Sequence, residues 1–201
     1  MRNKVATTIR RLLAARGVHF FVTRFGPKSL RRLAFDEKYN NGDWSFTSDG
    51  GELPAVVGHF LQNGDLLIMG CGGSSVLGDL AKTGLNSAVG VDLSPKAIEI
   101  ASRFASDKIS FQVADMLTYK CQQPYDVILF SESLNYIPIH SQLSFLQRLA
   151  AFLKKDGVFI VTLAQPRRYL GILLLIRNSF HVIEDRTLAG SSRHLIVFRL
   201  P

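Results

Sequence analysis

The sequence predicts an α/β fold in which a doubly wound, mostly parallel sheet carries helices on both faces. Between residues 66 and 163, short apolar runs alternate with segments of helical periodicity, a pattern typical of parallel strands joined by crossover helices. The chain has 201 residues, 47% of them hydrophobic, which is enough for one ordinary core and excludes a disordered protein. We therefore expect one sheet domain over residues 52–201, preceded by an N-terminal extension over residues 1–51.

The extension is basic and is expected to be helical. Apolar residues recur at helical spacing from Arg2 to Ala15, and Gly17 is placed to end that helix. A second short helix is expected around Leu30, before a polar loop over residues 39–51. Residues 1–38 hold ten Lys or Arg and two acidic residues, which accounts for the whole net charge of +8. Three interpretations stay open: solvated helices over the domain, attraction to RNA or anionic lipid, and recognition of an acidic small substrate.

The domain begins with a helix over residues 52–62, which Asn63 and Gly64 end. Five strands are expected at residues 66–69, 88–91, 109–113, 127–130 and 158–163. Helices are expected at residues 76–82, 94–105 and 142–154, and another begins at Pro166. Ser94 and Pro95 are the N-cap and first residue expected of the second helix. Lys154, Lys155 and Gly157 are expected to close the third.

The chain ends with two alternating strands, residues 181–187 and 194–200, which a short Ala-Gly-Ser-Ser segment separates. Only a hairpin can join strands that lie so close in sequence. The last two strands are therefore expected to be antiparallel to each other.

Cysteine content and hydropathy indicate a cytoplasmic protein without a membrane span. Cys71 and Cys121 alone cannot form a disulfide framework or a tetrahedral zinc site. The longest uncharged apolar run, Tyr169 to Ile176, is far shorter than the roughly 20 residues that span a bilayer. Arg10, Arg11 and Arg16 interrupt any apolar run of a leader peptide at the N-terminus.

A glycine-rich turn follows the first strand in the segment MGCGGSS. Gly70 and Gly72 leave space for a ligand against the main chain, and the next helix begins directly after the turn. A tight strand-to-helix connection is the alternative explanation. Asp92 ends the second strand 20 residues after Gly72, where a carboxylate can accept hydrogen bonds from both hydroxyls of a ribose. Asp92 is a weaker candidate for a helix cap, because Ser94 takes that role.

Five ordered segments resemble the motifs of the class I S-adenosylmethionine-dependent methyltransferases. They are MGCGG, GVDLS, VADM (residues 113–116), YDVILFSESLNYI (residues 125–137) and LKKDGVFIVT (residues 153–162). The resemblance covers roughly residues 52–200. It implies a Rossmann-like sheet of seven strands with an antiparallel last strand, which the terminal hairpin fits. Ser74 stands where the family has a third glycine.

The resemblance also implies roles for named residues. Gly70, Cys71 and Gly72 line the methionyl part of S-adenosylmethionine, and Asp92 holds its ribose. Leu93 lies against the adenine face, while Asp115 and the Met116 backbone bind the adenine amino edge. A turn carboxylate without contact to a ligand is the alternative role for Asp115.

Residues after the fourth strand are the candidates for the reacting end of the site, because ligands bind at the carboxyl ends of parallel strands. We expect Ser131 to bind the cofactor, and Glu132 and Tyr136 to remove a proton from the acceptor or orient it. His140, near this loop, is a third catalytic candidate. Structural roles are the alternative for each, and the five histidines show no metal-ligand spacing.

Tyr39 and Trp44 are expected to form a lid over the cofactor, since one large aromatic residue among Asn, Gly and Asp has no local explanation. An exposed ring without a role is the alternative for Trp44.

The predicted function is methyl transfer from S-adenosylmethionine to an N or O atom of a small molecule, in a sugar or another metabolite, by a monomer or weak homodimer. The alternative is a non-catalytic cofactor-binding protein whose basic helices dock an acidic partner or RNA. The neutral body lacks a nucleic-acid recognition module, and SESL replaces the tetrapeptide of base-amino methyltransferases. Ser74, Asp115 and the hairpin disfavour a nicotinamide oxidoreductase.

Overall fold

A computed structural model of the chain describes residues 16–42, 44, 51–80 and 84–201. The helix expected from Arg2 to Ala15, most of the polar loop and the end of the helix at 76–82 lie outside the described residues. The helices are α1 (Arg16–Phe25), α2 (Lys28–Asn40), α3 (Glu52–Leu61), α4 (Ser75–Leu80), α5 (Pro95–Ala101), α6 (Ile139–Ala150) and α7 (Leu170–Ser179). The strands are β1 (Asp65–Met69), β2 (Ser87–Asp92), β3 (Ile109–Val113), β4 (Tyr125–Ser131), β5 (Leu153–Leu163), β6 (His181–Thr187) and β7 (His194–Arg199).

The seven strands form one sheet in the order β3-β2-β1-β4-β5-β7-β6. Strands β1 to β5 pair in parallel, and β7 is antiparallel to both β5 and β6. The predicted fold class, including the antiparallel last strand, is confirmed. The order reverses between β1 and β4, and a crevice for a ligand opens at the carboxyl ends of strands at such a switch point.

The sheet has an apolar core on each face. Leu67 and Met69 belong to the core beneath α6 and α7, while Leu66 and Ile68 belong to the core beneath α3 and α4. Successive side chains of a strand point to opposite faces, so β1, which is buried along its whole length, supplies both cores. Burial on two faces explains why the strands appear in the sequence as continuous apolar runs.

The cap predicted for α5 is confirmed. Ser94 has an extended backbone and its Oγ accepts a hydrogen bond from the Ala97 N–H at 3.1 Å, while Pro95 is the first helical residue. Helix α2 packs against α5, and its Asp36 accepts a hydrogen bond from the Ser94 hydroxyl. The N-terminal extension therefore rests on the carboxyl edge of the sheet, beside β2.

Two predictions about helix ends were wrong. Gly17 does not end a helix, because it lies in the first turn of α1. The spacing of Val18, Val22 and Phe25, which falls in a segment assigned to no helix, is itself helical. On the buried face of α1, the Thr23 hydroxyl donates to the His19 carbonyl at 2.7 Å.

The third domain helix was also predicted to run too far. Helix α6 ends at Ala150, and Lys154 lies in β5. From that strand, its ammonium donates to Asp65 and Asp126, each at 2.7 Å. Gly157 lies at an irregularity of the β4–β5 pairing, where a Cβ would lie 2.9 Å from the Tyr125 carbonyl oxygen. The charged residues thus begin a strand that two distant carboxylates hold in place.

Among the described residues, no helix is long and apolar enough to cross a membrane.

Candidate active site

The turn after β1 requires glycine at two positions. Gly70 has φ +71° and Gly72 has φ +53°, in the left-handed region that side chains disfavour. A Cβ on Gly70 would lie 2.6 Å from the Cβ of Ser133, and one on Gly72 would lie 2.8 Å from the Tyr39 hydroxyl. The Cys71 N–H donates to the Val91 carbonyl at 2.9 Å. The turn therefore exposes main-chain atoms at its two glycines and is hydrogen-bonded to β2.

Ser74 adopts a left-handed backbone at the position where the resemblance expects a third glycine. Its φ is +53°, a conformation that costs a non-glycine residue about 1–2 kcal/mol. Its hydroxyl donates to the Cys71 carbonyl at 3.0 Å, which offsets part of that cost. Cys71 is buried in the same turn, and burial raises the pKa of its thiol.

Asp92 is held at the end of β2 by two main-chain donors. Its Oδ2 accepts from the Gly72 N–H at 3.0 Å, and its Oδ1 accepts from the Ser94 N–H at 2.8 Å. Burial raises the pKa of Asp92 to about 6, although the two N–H donors oppose the increase. The carboxylate is ionised at pH 7, and each oxygen keeps a lone pair for a further donor. This arrangement fits a ligand diol, and Asp92 does not cap α5.

Asp115 lies at the end of β3 in an ion pair that the sequence did not predict. The Arg31 guanidinium of α2 donates to both of its carboxylate oxygens, one of them at 3.4 Å. The Leu117 N–H also donates to Oδ1 at 3.1 Å, as in a turn carboxylate. Asp115 is buried and does not line the cavity described below. Binding of the adenine amino edge stays a prediction for Asp115.

Five aromatic rings, two of them from α2, meet above the glycine turn. The Trp44 ring centroid lies 5.4 Å from that of Tyr39, 5.9 Å from Phe35, 5.8 Å from His19 and 6.2 Å from Tyr136. We call these five residues the aromatic cluster. Burial, with Asp92 nearby, raises the pKa of Tyr39 well above its usual range, so its hydroxyl stays a donor. Neither Phe35 nor His19 was predictable as part of the site, because Phe35 lies in an ordinary helix pattern and His19 in an apolar run without a motif.

The segment after β4 brings two of the three catalytic candidates to the cavity. Glu132 has φ +56°, its Oε2 accepts from the Ala164 N–H at 2.6 Å, and its Oε1 lies 3.9 Å from Nε of Arg193. Burial raises the pKa of Tyr136 far above its usual range, and Tyr169 adds to this. His140 is exposed in the first turn of α6 and lies outside the cavity lining.

These elements enclose one cavity at the carboxyl ends of β1, β2 and β4. Its lining comprises Phe35, Tyr39, Trp44, Ile68, Gly70, Cys71, Gly72, Gly73, Ser74, Ser75, Val76, Asp92, Leu93, Arg103, Met116, Ser131, Glu132, Ser133 and Tyr136. Of the twelve site residues predicted from the sequence, all except Asp115 and His140 line the cavity: Gly70, Cys71, Gly72, Asp92, Leu93, Met116, Ser131, Glu132, Tyr136 and Trp44. Within the described ranges, no group of His, Cys, Asp and Glu residues is arranged to hold a metal ion.

The cavity fits an adenosyl amino acid. A carboxylate lies where a diol can bind, and Leu93 and Met116 supply apolar walls. At Gly70 and Gly72, a side chain would collide with neighbouring residues, so the main chain there faces the cavity directly. Backbone and carboxylate groups of this kind bind nucleoside ligands at the switch point of α/β sheets.

Comparison with known proteins finds methyltransferases. Residues 66–157 match the family described as "Methyltransferase domain". The N-methyltransferase NodS from Bradyrhizobium japonicum WM9 is 20% identical, with 75% of this chain and 95% of that chain covered and a TM-score of 0.61. The 1,6-didemethyltoxoflavin-N1-methyltransferase from Burkholderia thailandensis, solved with 1,6-didemethyltoxoflavin and S-adenosylhomocysteine, is 16% identical over 86% of this chain and 88% of its own, with a TM-score of 0.67.

A third solved structure, the CcbJ methyltransferase from Streptomyces caelestis, is 16% identical, covers 83% of this chain and 96% of its own, and has a TM-score of 0.67. At these identities the three likenesses concern the fold, and the family match concerns the segment that holds the glycine turn, Asp92 and Glu132. Residues 66–157 thus match a methyltransferase domain, and the chain has the fold of the methyltransferases named above, among them one solved with S-adenosylhomocysteine.

Proposed function

We propose that the protein transfers the methyl group of S-adenosylmethionine to a nitrogen or oxygen atom of a small-molecule acceptor. The observation that carries this proposal is the aromatic cluster, which covers the cavity from the side of the N-terminal helices. A covered cavity admits a small acceptor more readily than the surface of a macromolecule. The Burkholderia enzyme, whose structure holds 1,6-didemethyltoxoflavin, is consistent with an acceptor of that size.

The cofactor is assigned to the cavity as follows. The Gly70–Gly72 turn holds the methionyl part against the main chain, and Asp92 accepts hydrogen bonds from the ribose. Leu93 and Met116 lie against the adenine, while Tyr39 and Trp44 cover the site. When bound, S-adenosylmethionine would supply a methyl carbon attached to a positively charged sulfur. A lone pair of the acceptor would bond to that carbon, and the sulfur would leave as a neutral thioether.

The chain contributes alignment and exclusion of water more than proton transfer. Tyr136 keeps its proton because its pKa is raised, so it can orient the acceptor through a hydrogen bond. Glu132 accepts a hydrogen bond from the Ala164 N–H and lies 3.9 Å from Arg193, so its carboxylate is already engaged within the chain. Such a site suits an acceptor that attacks through a neutral lone pair and loses its proton after transfer.

The alternative, a non-catalytic protein that docks RNA or an acidic partner through its basic helices, gains no specific support. In the described part of the extension, Arg31 pairs with Asp115 and Arg32 approaches Asp36, so part of the charge serves contacts within the chain. Cytoplasmic location and a monomeric or weakly dimeric state remain predictions.

Two measurements test the proposal. Calorimetric titration with S-adenosylhomocysteine and with NAD should show binding of the first alone, and Asp92→Ala should weaken that binding at least tenfold. A screen with labelled S-adenosylmethionine over amines, sugars, phenols and RNA should transfer label to small molecules. Label on RNA alone, or undiminished binding by Asp92→Ala, would contradict the proposal.

A further inference from the structure

Two arginines from distant parts of the chain share one aromatic ring at the rim of the active site. The guanidinium carbon of Arg24, in α1, lies 3.7 Å from the Phe20 ring centroid, and that of Arg168, between β5 and α7, lies 4.7 Å from it. Arg24 also lies 5.5 Å from the ring centroid of Tyr136, which lines the cavity. Two like charges are therefore held together beside the expected position of the acceptor.

The carboxylates near this rim already have other partners. Asp115 binds Arg31, Asp36 lies 3.9 Å from Arg32, and Glu132 lies 3.9 Å from Arg193. Over the described ranges, neither Arg24 nor Arg168 forms an ion pair. Among the described residues, Arg24 donates a hydrogen bond to the Phe20 carbonyl alone, at 3.4 Å. The charge of the pair is thus not neutralised by these parts of the chain.

Two tyrosine rings adjoin the arginine pair. Arg168 lies 5.8 Å from the Tyr169 ring centroid, and Arg24 lies 5.5 Å from the Tyr136 ring centroid. The Asn135 amide donates to the Tyr169 hydroxyl at 3.3 Å, which leaves the hydroxyl proton of Tyr169 available to a ligand. The two tyrosines also interact electrostatically. Guanidinium groups beside tyrosine rings supply the cations and hydroxyl donors that an oxyanion site uses.

We propose that Arg24 and Arg168, with the hydroxyls of Tyr136 and Tyr169, bind an oxyanion of the methyl acceptor. This inference rests on the proposed function and adds to it the chemical class of the substrate: a small molecule that carries a carboxylate or a phosphate beside its nucleophilic atom. The aromatic rings around the two guanidinium groups suit an acceptor with a flat apolar body.

The test uses Trp44, the single tryptophan of the chain, as a fluorescent reporter, since its ring lies 6.2 Å from Tyr136. Benzoate and phenyl phosphate are titrated into the full chain, with benzamide as the neutral probe of similar shape. Each titration is performed with and without saturating S-adenosylhomocysteine. The variants are Arg24→Gln and Arg168→Gln, and the control is Arg167→Gln, the exposed neighbour of Arg168.

We expect at least one anionic probe to bind tenfold or more tightly than benzamide to the wild type and to Arg167→Gln. Arg24→Gln and Arg168→Gln should each lose most of the preference for the anionic probe over benzamide, while keeping their affinity for S-adenosylhomocysteine. Preference for benzoate or for phenyl phosphate then distinguishes a carboxylate from a phosphate acceptor.

Equal binding of benzamide, no binding of any probe, or a preference that survives in both Arg24→Gln and Arg168→Gln would overturn the subsite. Arg168→Gln keeps the test decisive if Arg24→Gln unfolds, because Arg168 is exposed and lies outside the regular elements. Failure of the wild type to bind S-adenosylhomocysteine would instead overturn the proposed function, and the titrations without it still judge the subsite.

Discussion

Arg31 in α2 forms an ion pair with Asp115, a buried carboxylate 84 residues away at the end of β3. The pair fastens the N-terminal extension to the sheet at the position where the family resemblance expects the adenine amino edge. Arg31 thus neutralises a charge that would otherwise be buried alone, and it lies where α2 meets the cofactor site.

Removal of Arg31 should destabilise the fold strongly. Arg31→Ala leaves the Asp115 carboxylate buried without its partner, which typically costs about 3–5 kcal/mol. Urea unfolding followed by circular dichroism measures the change. Arg32→Ala is the control, since the Arg32 side chain is 53% exposed and lies 3.9 Å from Asp36, and it should change the free energy of unfolding by less than about 1 kcal/mol. Equal stability of the two variants would contradict the role of the pair.

Alanine at Gly70 should be more damaging than alanine at another glycine with the same backbone. Gly70 and Gly190 have φ +71° and +68°, but only Gly70 has a neighbour, Ser133, at collision distance. Gly190→Ala should therefore cost about 1–2 kcal/mol of backbone strain, and Gly70→Ala should cost about 1–3 kcal/mol more. Gly70→Ala should also weaken binding of S-adenosylhomocysteine. Similar losses in both variants would show that the turn is not closely packed.

Binding of the cofactor should depend on pH through Asp92. Its pKa is raised to about 6, so the wild type should bind S-adenosylhomocysteine with constant affinity above pH 7 and more weakly as pH falls below 6. Asp92→Asn should bind weakly at every pH without that transition. Calorimetry across pH 5–8 measures both profiles.

Asp92 also predicts how the stability of the fold changes with pH. Because the folded state holds the Asp92 proton more tightly than the unfolded state, this residue's contribution to stability falls as pH rises from about 4 to about 6. If the affinity of the wild type for S-adenosylhomocysteine is constant from pH 5 to pH 8, the raised pKa of Asp92 is contradicted.

The cluster of Lys154, Asp65 and Asp126 lies at the amino-terminal ends of β1, β4 and β5. It should stabilise the fold in a pH-dependent way. Burial acts to raise the pKa of Asp65, but hydrogen bonds from Lys154, Ser87 and Asn86 outweigh it and lower the pKa. This stabilisation is present above the unfolded pKa and is lost as pH falls through the folded value. Lys154→Met should cost about 1 kcal/mol at pH 7 and less at pH 3, measured by urea unfolding.

Lys155→Met, a change at an exposed neighbour in β5, is the control for Lys154 and should be neutral at both pH values. An equal loss for Lys154→Met at pH 7 and pH 3 would contradict the ionic origin of the effect.

Trp44→Ala should lower both cofactor affinity and turnover. The ring contacts four other members of the aromatic cluster and lines the cavity, so its loss opens the site to water. Calorimetry with S-adenosylhomocysteine and the labelled-methyl assay measure the two effects. Phe25→Ala removes an aromatic side chain that is 54% exposed and should change neither. If Trp44→Ala behaves like Phe25→Ala, the lid hypothesis is wrong.

Local features were predictable to within a few residues. The strands, the Ser94 cap, the glycine turn and the β6–β7 hairpin all depend on periodicity or turn chemistry inside a short window. Asp92 was predictable because its position relative to the turn follows from one βαβ unit. The start of β5 was not predictable, because Lys154 and Lys155 suit a helix end as well as a strand.

The sequence by itself thus determined the sheet, its order of motifs and the polar groups that end β1, β2 and β4, since each arises from neighbours along the chain. Only the tertiary structure decided that Arg31 binds Asp115, that Glu132 is held by Ala164 and Arg193, and that Arg24 and Arg168 meet on Phe20. These partners are distant in sequence, and their pairing depends on how packing orients whole elements, which no local pattern encodes.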